Sequence, residues 1–194
     1  MPCIKQLRRK HRMKTVIAEE IQAHGLRLAE LKREIPAQAA GDLRWMQPSV
    51  LRSQYELRSA GRCVATMRIQ GLFRPIATGE SADGSWTFEP VGPAPGKIIV
   101  RARDSYLDLA AFDLGLSDHG GVLQLSDGRA LFLRSDFWKG RAEFQTLTGE
   151  VILRYRFHGV LRLTAEVEVL GKGKQISELP WLLMLGWCLI VGYL

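Results

Sequence analysis

Val151-Ile-Leu-Arg-Tyr-Arg-Phe-His-Gly-Val-Leu-Arg-Leu-Thr-Ala-Glu-Val-Glu-Val169 reads as a β-hairpin that needs a cover. Val151, Leu153, Tyr155 and Phe157 recur at every second position, as do Leu161, Leu163, Ala165, Val167 and Val169. A period of two puts each set on one face of a strand. A two-residue loop would leave the sets on opposite faces. A three-residue loop, His158-Gly159-Val160, unites them, with Gly159 supplying the positive φ such a loop requires. The outer face then carries Arg154, Arg156, Arg162, Thr164, Glu166 and Glu168. The cover follows at once: Leu179-Pro-Trp-Leu-Leu-Met-Leu-Gly-Trp-Cys-Leu-Ile-Val-Gly-Tyr-Leu194 holds no charge. Ser177 reads as its N-cap, with Pro180 in the first turn. A helix apolar on all sides lies in a membrane or inside a protein. These residues span about 24 Å as helix, short of the roughly 30 Å hydrocarbon core, so length favours burial in protein. A helix threaded through a barrel would fill its interior.

Working back along the chain, the same alternation recurs. Cys63, Ala65, Met67 and Ile69 alternate with Val64, Thr66 and Arg68. Trp86 and Phe88, then Ile98, Val100 and Ala102, follow the same rule. Asp127-Gly128 is a two-residue turn signal that pairs Ser126 with Arg129 and predicts a shared face for Leu123, Leu125, Ala130 and Phe132. Pro90-Val-Gly-Pro-Ala-Pro-Gly96 suits only a loop. The spacing predicts roughly ten to twelve short strands between residues 55 and 170, and hence a barrel or sandwich. The first 41 residues differ. Ile17, Ile21, Leu28, Leu31 and Ile35 fall on one helical face, and Pro36 ends the pattern. The basic run Lys5-Gln-Leu-Arg-Arg-Lys-His-Arg-Met-Lys14 precedes that helix, and Ala37 to Asp42 reads as a linker. The expected organisation is a basic helical extension over 1–41 and a barrel domain over 42–194, with its core helix at 177–194.

Composition agrees with a packed domain: 46% of residues are hydrophobic and 24% charged. The net charge of +7 is uneven. Residues 1–41 hold nine Lys/Arg against four Asp/Glu, whereas the remainder is nearly balanced. A balanced main domain argues against a dedicated nucleic-acid surface. Cys3, Cys63 and Cys188 are an odd, scattered set, which excludes a disulfide framework and a C-x-x-C zinc site. No secretory apolar segment follows the basic start, so the expected location is cytoplasmic or peripheral to a membrane.

This layout resembles the tubby C-terminal-like superfamily, with the LURP-one-related and phospholipid scramblase families closest. The resemblance covers roughly residues 45–194. It rests on the order of elements, the opening Tyr55-Glu-Leu57 strand, the Asp83-Gly-Ser-Trp86 and Asp127-Gly128 turns, and the tail Ile176 to Leu194. It implies a mainly β fold: a closed barrel of about twelve strands around an apolar C-terminal helix. Tubby domains bind phosphoinositides through surface Lys and Arg, and scramblase-type proteins associate with membranes, some binding calcium just before the terminal helix. Here that position reads Leu170-Gly-Lys-Gly-Lys174, with Glu178 the only nearby carboxylate. This departs from the several oxygen ligands that calcium needs.

No nucleophile elbow, dinucleotide fingerprint or phosphate-cradling loop is present. His11, His24, His119 and His158 lack metal-ligand spacing. Asp104, Asp108, Asp113 and Asp118 are spread along a strand and loop as surface charge. The reading is therefore non-enzymatic, with no catalytic residue, metal or cofactor. The expected activity is that of a monomeric binding module for anionic membrane lipid. Its candidate ligands are Lys5, Arg8, Arg9, Lys10, Arg12 and Lys14 in the tail, and Lys97, Arg101, Arg103, Arg154, Arg156 and Arg162 on the barrel. The alternatives are a tail-anchored protein with 179–194 inserted and Lys172 and Lys174 at the cytoplasmic surface, or a protein-interaction domain.

Overall fold

The computed structural model describes residues 43–49, 53–71, 75–92, 96–115, 120–159 and 162–193. The expected N-terminal helix, basic run and linker lie outside them. Twelve strands form one closed, wholly antiparallel barrel: β1 (Leu43–Met46), β2 (Gln54–Ser59), β3 (Arg62–Gln70), β4 (Ile76–Ser81), β5 (Gly84–Val91), β6 (Lys97–Ala102), β7 (Asp108–Leu114), β8 (Gly120–Leu125), β9 (Ala130–Asp136), β10 (Arg141–Thr146), β11 (Val151–His158) and β12 (Thr164–Val169). Each strand pairs with its sequence neighbours, and β1 closes the ring by pairing Leu43, Arg44 and Trp45 with Val167, Glu166 and Ala165 of β12. A 3-10 turn at Gly171–Gln175 leads into the helix α1, Leu179–Gly192.

The helix is the core of the barrel. Leu182, Leu183, Met184, Leu185, Trp187 and Leu189 are fully buried, among inward residues from all twelve strands. Several inward positions are small, namely Ala65, Ala77, Gly79, Ala110, Ala142 and Ala165. They leave room for the large side chains of the helix, as a filled barrel requires. Trp187 stacks flat on Trp45 of β1, with ring centroids 5.6 Å apart, and meets the edge of Tyr55 of β2 at the same distance. Tyr155 of β11 donates its hydroxyl to the carbonyls of Leu182 and Leu183, at 3.3 and 3.0 Å. This contact is possible because Gly186 presents bare backbone to the ring. Burial pushes the Cys188 thiol up to about 12, so it is an inert apolar side chain rather than a nucleophile.

Four details differ from the sequence reading. The expected strands began near residue 55, but β1 lies upstream, with Leu43 and Trp45 buried. Four residues give too little alternation to register as a pattern. Next, the Asp127-Gly128 turn spans three residues. Gly128 has φ +88, and Leu125 N–H donates to Arg129 O at 2.8 Å. Leu123 therefore faces Leu131, and the inner face of β9 is Leu131, Leu133 and Ser135, while Phe132 is exposed. A slip of one residue turns the whole strand over. The hairpin at 151–169 keeps the expected face, but His158 pairs with Thr164, so its loop is five residues rather than three. Lastly, Glu178 rather than Ser177 occupies the N-cap of α1, and its carboxylate is taken by Arg129 from the β8–β9 turn.

Alternating connections place the ends of the barrel. The rim where β1 begins also holds the β6–β7, β8–β9 and β10–β11 turns and the start of α1; we call it the proximal rim. The distal rim holds the β9–β10 and β11–β12 connections and the end of α1. The outer wall is charged, carrying Arg44, Glu80, Arg101, Arg154 and Glu166. This is the reverse of membrane-spanning barrels, whose outer band is apolar. Among the described residues, no helix is long and apolar enough to cross a membrane.

Candidate functional site

Of the twelve cations singled out in the sequence, the six in the tail lie outside the described residues. The structure does not gather the other six into one patch. Lys97 and Arg101 sit on β6, with Arg103 just beyond it. Arg154 and Arg156 sit on β11, and Arg162 follows in the β11–β12 loop. In the ring β6 and β11 are separated by β7, β8, β9 and β10, so the two groups occupy different walls.

Five of these six barrel cations are, moreover, engaged. Lys97 pairs with Asp113 at 3.1 Å. Arg101 bridges Glu89 at 2.7 Å and Asp108 at 2.6 Å, and Arg103 reaches Glu80. Arg154 spans Glu143 at 2.5 Å and Glu168 at 3.0 Å, and Arg156 adds a longer contact to Glu168. Arg162 is exposed. These pairs follow from the register, because carboxylates and guanidinium groups stand opposite one another on neighbouring strands.

Glu143 of β10 is the centre of the densest group. It accepts hydrogen bonds from Arg141 and Arg154 and from the Gln145 amide. Burial alone would push its carboxyl up, but the hydrogen bonds from Arg154 and Arg141 outweigh it and hold the carboxyl below its usual range. A depressed folded value stabilises the barrel above the unfolded carboxylate range, about 4.3. That contribution is lost as pH falls through the folded value. Thermal melts from pH 7 to pH 3 should therefore show midpoints falling below about pH 4.3. Glu143→Gln should melt lower at pH 7 but with a flatter acid limb. Parallel acid limbs in the two proteins would assign the fall to other carboxylates.

Two features escaped the sequence reading. The first is apolar. Tyr106 and Leu107, in the β6–β7 turn, are 100% and 76% exposed, and Leu147 in the β10–β11 turn is 69% exposed. All three stand on the proximal rim, the end at which residues 1–42 join the barrel. The legible signal was an apolar pair, Tyr106-Leu107, set in a turn between two alternating strands, where no inward position exists. On the distal rim, Trp138 is 95% exposed in the 3-10 turn Phe137–Lys139. The second feature is a polar trough of about 220 Å³ on the outer wall of β2, β3 and β4. Among the described residues, no three His, Cys, Asp or Glu side chains assemble as a metal site would. In comparisons with known proteins, the chain matches no protein-family model, no curated protein and no solved structure.

Proposed function

We propose that this protein is a non-enzymatic binding module that meets anionic phospholipid at a membrane surface, with the proximal rim of the barrel facing the bilayer. One observation carries the reading: Tyr106, Leu107 and Leu147 are exposed on the rim to which the basic N-terminal stretch is joined. Adjacent exposed apolar side chains, such as Tyr106 and Leu107 in one turn, are the feature of a charged domain that suits a contact surface, and Leu147 stands on the same rim. Placing one Leu-sized side chain in an apolar phase gains about 1.5–3 kcal/mol. Tyr suits the headgroup level, where its ring is covered and its hydroxyl stays wet. Each Lys or Arg near an anionic leaflet adds about 1 kcal/mol, within a Debye length of about 8 Å. Lys5, Arg8, Arg9, Lys10, Arg12 and Lys14 supply most of that attraction; on the rim itself Arg129 and Lys172 are matched by Asp127, Glu178 and Glu150, while Arg62 and Lys174 are exposed and add to it. The resemblance to tubby-like and scramblase-like domains supports the same reading. The tail-anchor alternative would require the segment that fills the barrel.

Sedimentation with vesicles tests the proposal. Binding should appear on vesicles containing phosphatidylserine, fall steeply as salt rises, and be absent on neutral ones. Replacing the six tail cations by Gln should remove most of it. Tyr106→Ser/Leu107→Ser should remove the portion that survives at high salt. Binding that persists in both variants and disappears in Arg101→Gln/Arg154→Gln/Arg156→Gln would move the site to the barrel wall. No binding even at low salt would end the membrane reading.

A further inference from the structure

The outer trough has a composition unlike the rest of the wall. On β6–β7 and β10–β12 long cations and carboxylates cover the strands in pairs. Here the centre consists of short hydroxyl side chains, Thr66 of β3 and Thr78 of β4, which stand in adjacent rows of the register. Thr66 lies between Glu56 and Glu80, and Thr78 lies beside Arg68, which is itself paired across the sheet with Gln54. Gln54 and Gln70 close the distal side, and Arg103 closes the proximal side. Because the Thr side chains are short, a cavity of about 220 Å³ stays open above them, enough for a small polar molecule.

The charges in the trough do not cancel. Arg103 is tied to Glu80. Arg68 is exposed on the strand, and among the described residues it has no carboxylate partner. The trough therefore offers one uncommitted guanidinium, two hydroxyls and two amides, and its lining carboxylate, Glu80, is neutralised by the second guanidinium, Arg103, at the far end. These donors come from β2, β3 and β4 and, for Arg103, from beyond β6, so they border the trough on its floor and at both ends. A guanidinium fork takes two oxygens of an oxyanion, and donors from other directions suit a further oxygen out of that plane. A phosphate or sulfate has such oxygens, whereas a carboxylate has none.

We propose that the trough formed by Arg68, Thr66, Thr78, Gln54, Gln70 and Arg103 is a binding site for a tetrahedral oxyanion, a phosphate or sulfate monoester. The site is independent of the proximal rim, because it uses neither the tail cations nor Tyr106 and Leu107. Calorimetric titration of the full chain with glycerol 3-phosphate should show saturable binding, with acetate and glycerol inert at the same concentrations. Arg68→Gln should weaken it at least about tenfold, the loss expected for one hydrogen bond to a charged group. Thr78→Val should also weaken it, by removing a donor without changing the shape of the trough. Arg62→Gln, at the far end of the same strand, should leave it unchanged. A second arm uses vesicles bearing phosphatidic acid, with the six tail cations replaced by Gln. Arg68-dependent binding in solution identifies a free monoester as the ligand. Arg68-dependent binding on vesicles alone identifies a lipid headgroup. Acetate binding as tightly as the phosphate ester, or binding in neither arm that depends on Arg68, overturns the site. Loss of the rim's vesicle binding leaves the solution titration untouched, so the two proposals fail separately.

Discussion

Leu183→Asp should leave no cooperatively folded protein. Leu183 is fully buried on a helix that has no solvent-facing side for most of its length. A carboxylate placed there has no cation within the barrel's apolar lining, and a buried charge without a partner costs several kcal/mol even after relaxation. Domains have a margin of about 5–15 kcal/mol, and the substitution also removes the packing of a Leu, about 2–5 kcal/mol. Truncation before Ile176 should have the same outcome by a different route. The inward faces of Phe88, Phe112, Phe144 and Leu153 would then surround an empty space that the ring cannot close upon. Circular dichroism melts would check both, with Leu183→Met as the control that conserves volume and retains the transition. A truncated chain that remains soluble with a sharp melt would show that the barrel stands without its helix.

The second large effect comes from one glycine. A Cβ on Gly186 would fall within 2.6 Å of Tyr155 Cε2, in the space of a buried ring that is hydrogen-bonded to the same helix. Helix propensity alone would favour Ala over Gly by up to about 1 kcal/mol. Overpacking against a rigid aromatic costs about 1–3 kcal/mol and here also breaks the Tyr155 hydrogen bond, so the net sign is destabilising. Gly186→Ala should lower the melting temperature by several degrees, and Gly186→Val by considerably more. Gly79 makes the opposite case. A Cβ there would also land on a side chain of the core, but that side chain is the end of Met184. A thioether can rotate away where a pinned ring cannot. Gly79→Ala should therefore cost much less than Gly186→Ala. Equal losses at the two positions would refute the distinction.

The fold was legible because two periods were strong. Alternation marked seven of the strands, β3, β5, β6, β8, β9, β11 and β12, and an uncharged helix too short for a bilayer implied a protein interior to receive it. What could not be read was register. At Asp127-Gly128 the choice between a two- and a three-residue turn depends on a single backbone angle, and Phe132 is more apolar than its neighbours Leu131 and Leu133 are distinctive. Arg134, on the same side as Phe132, was the contrary signal. The candidate sites were less legible still. A list of cations along a sequence says nothing about which wall each occupies, and the closed ring separates Arg101 from Arg154. Nor does it show that neighbouring strands supply the carboxylates that occupy them. The trough is visible only when Thr66, Thr78 and Arg68 are brought side by side by pairing between strands.

A closed ring has no free edge, and so offers no template for another chain to extend. That protection depends on its shortest member. Between β2 and β12 stands only Leu43–Met46, joined to β12 through Leu43, Arg44 and Trp45. Lifting this clasp would bare Gln54–Ser59 on one side and Thr164–Val169 on the other, two strands with unpaired amides and one apolar face each. Trp45 is what fastens it, since its ring lies against Trp187 of the helix. The helix thus guards against self-association as well as filling the core. Damage to either tryptophan should be seen first as a solubility defect, with chains joining through the opened seam before the rest of the barrel has melted.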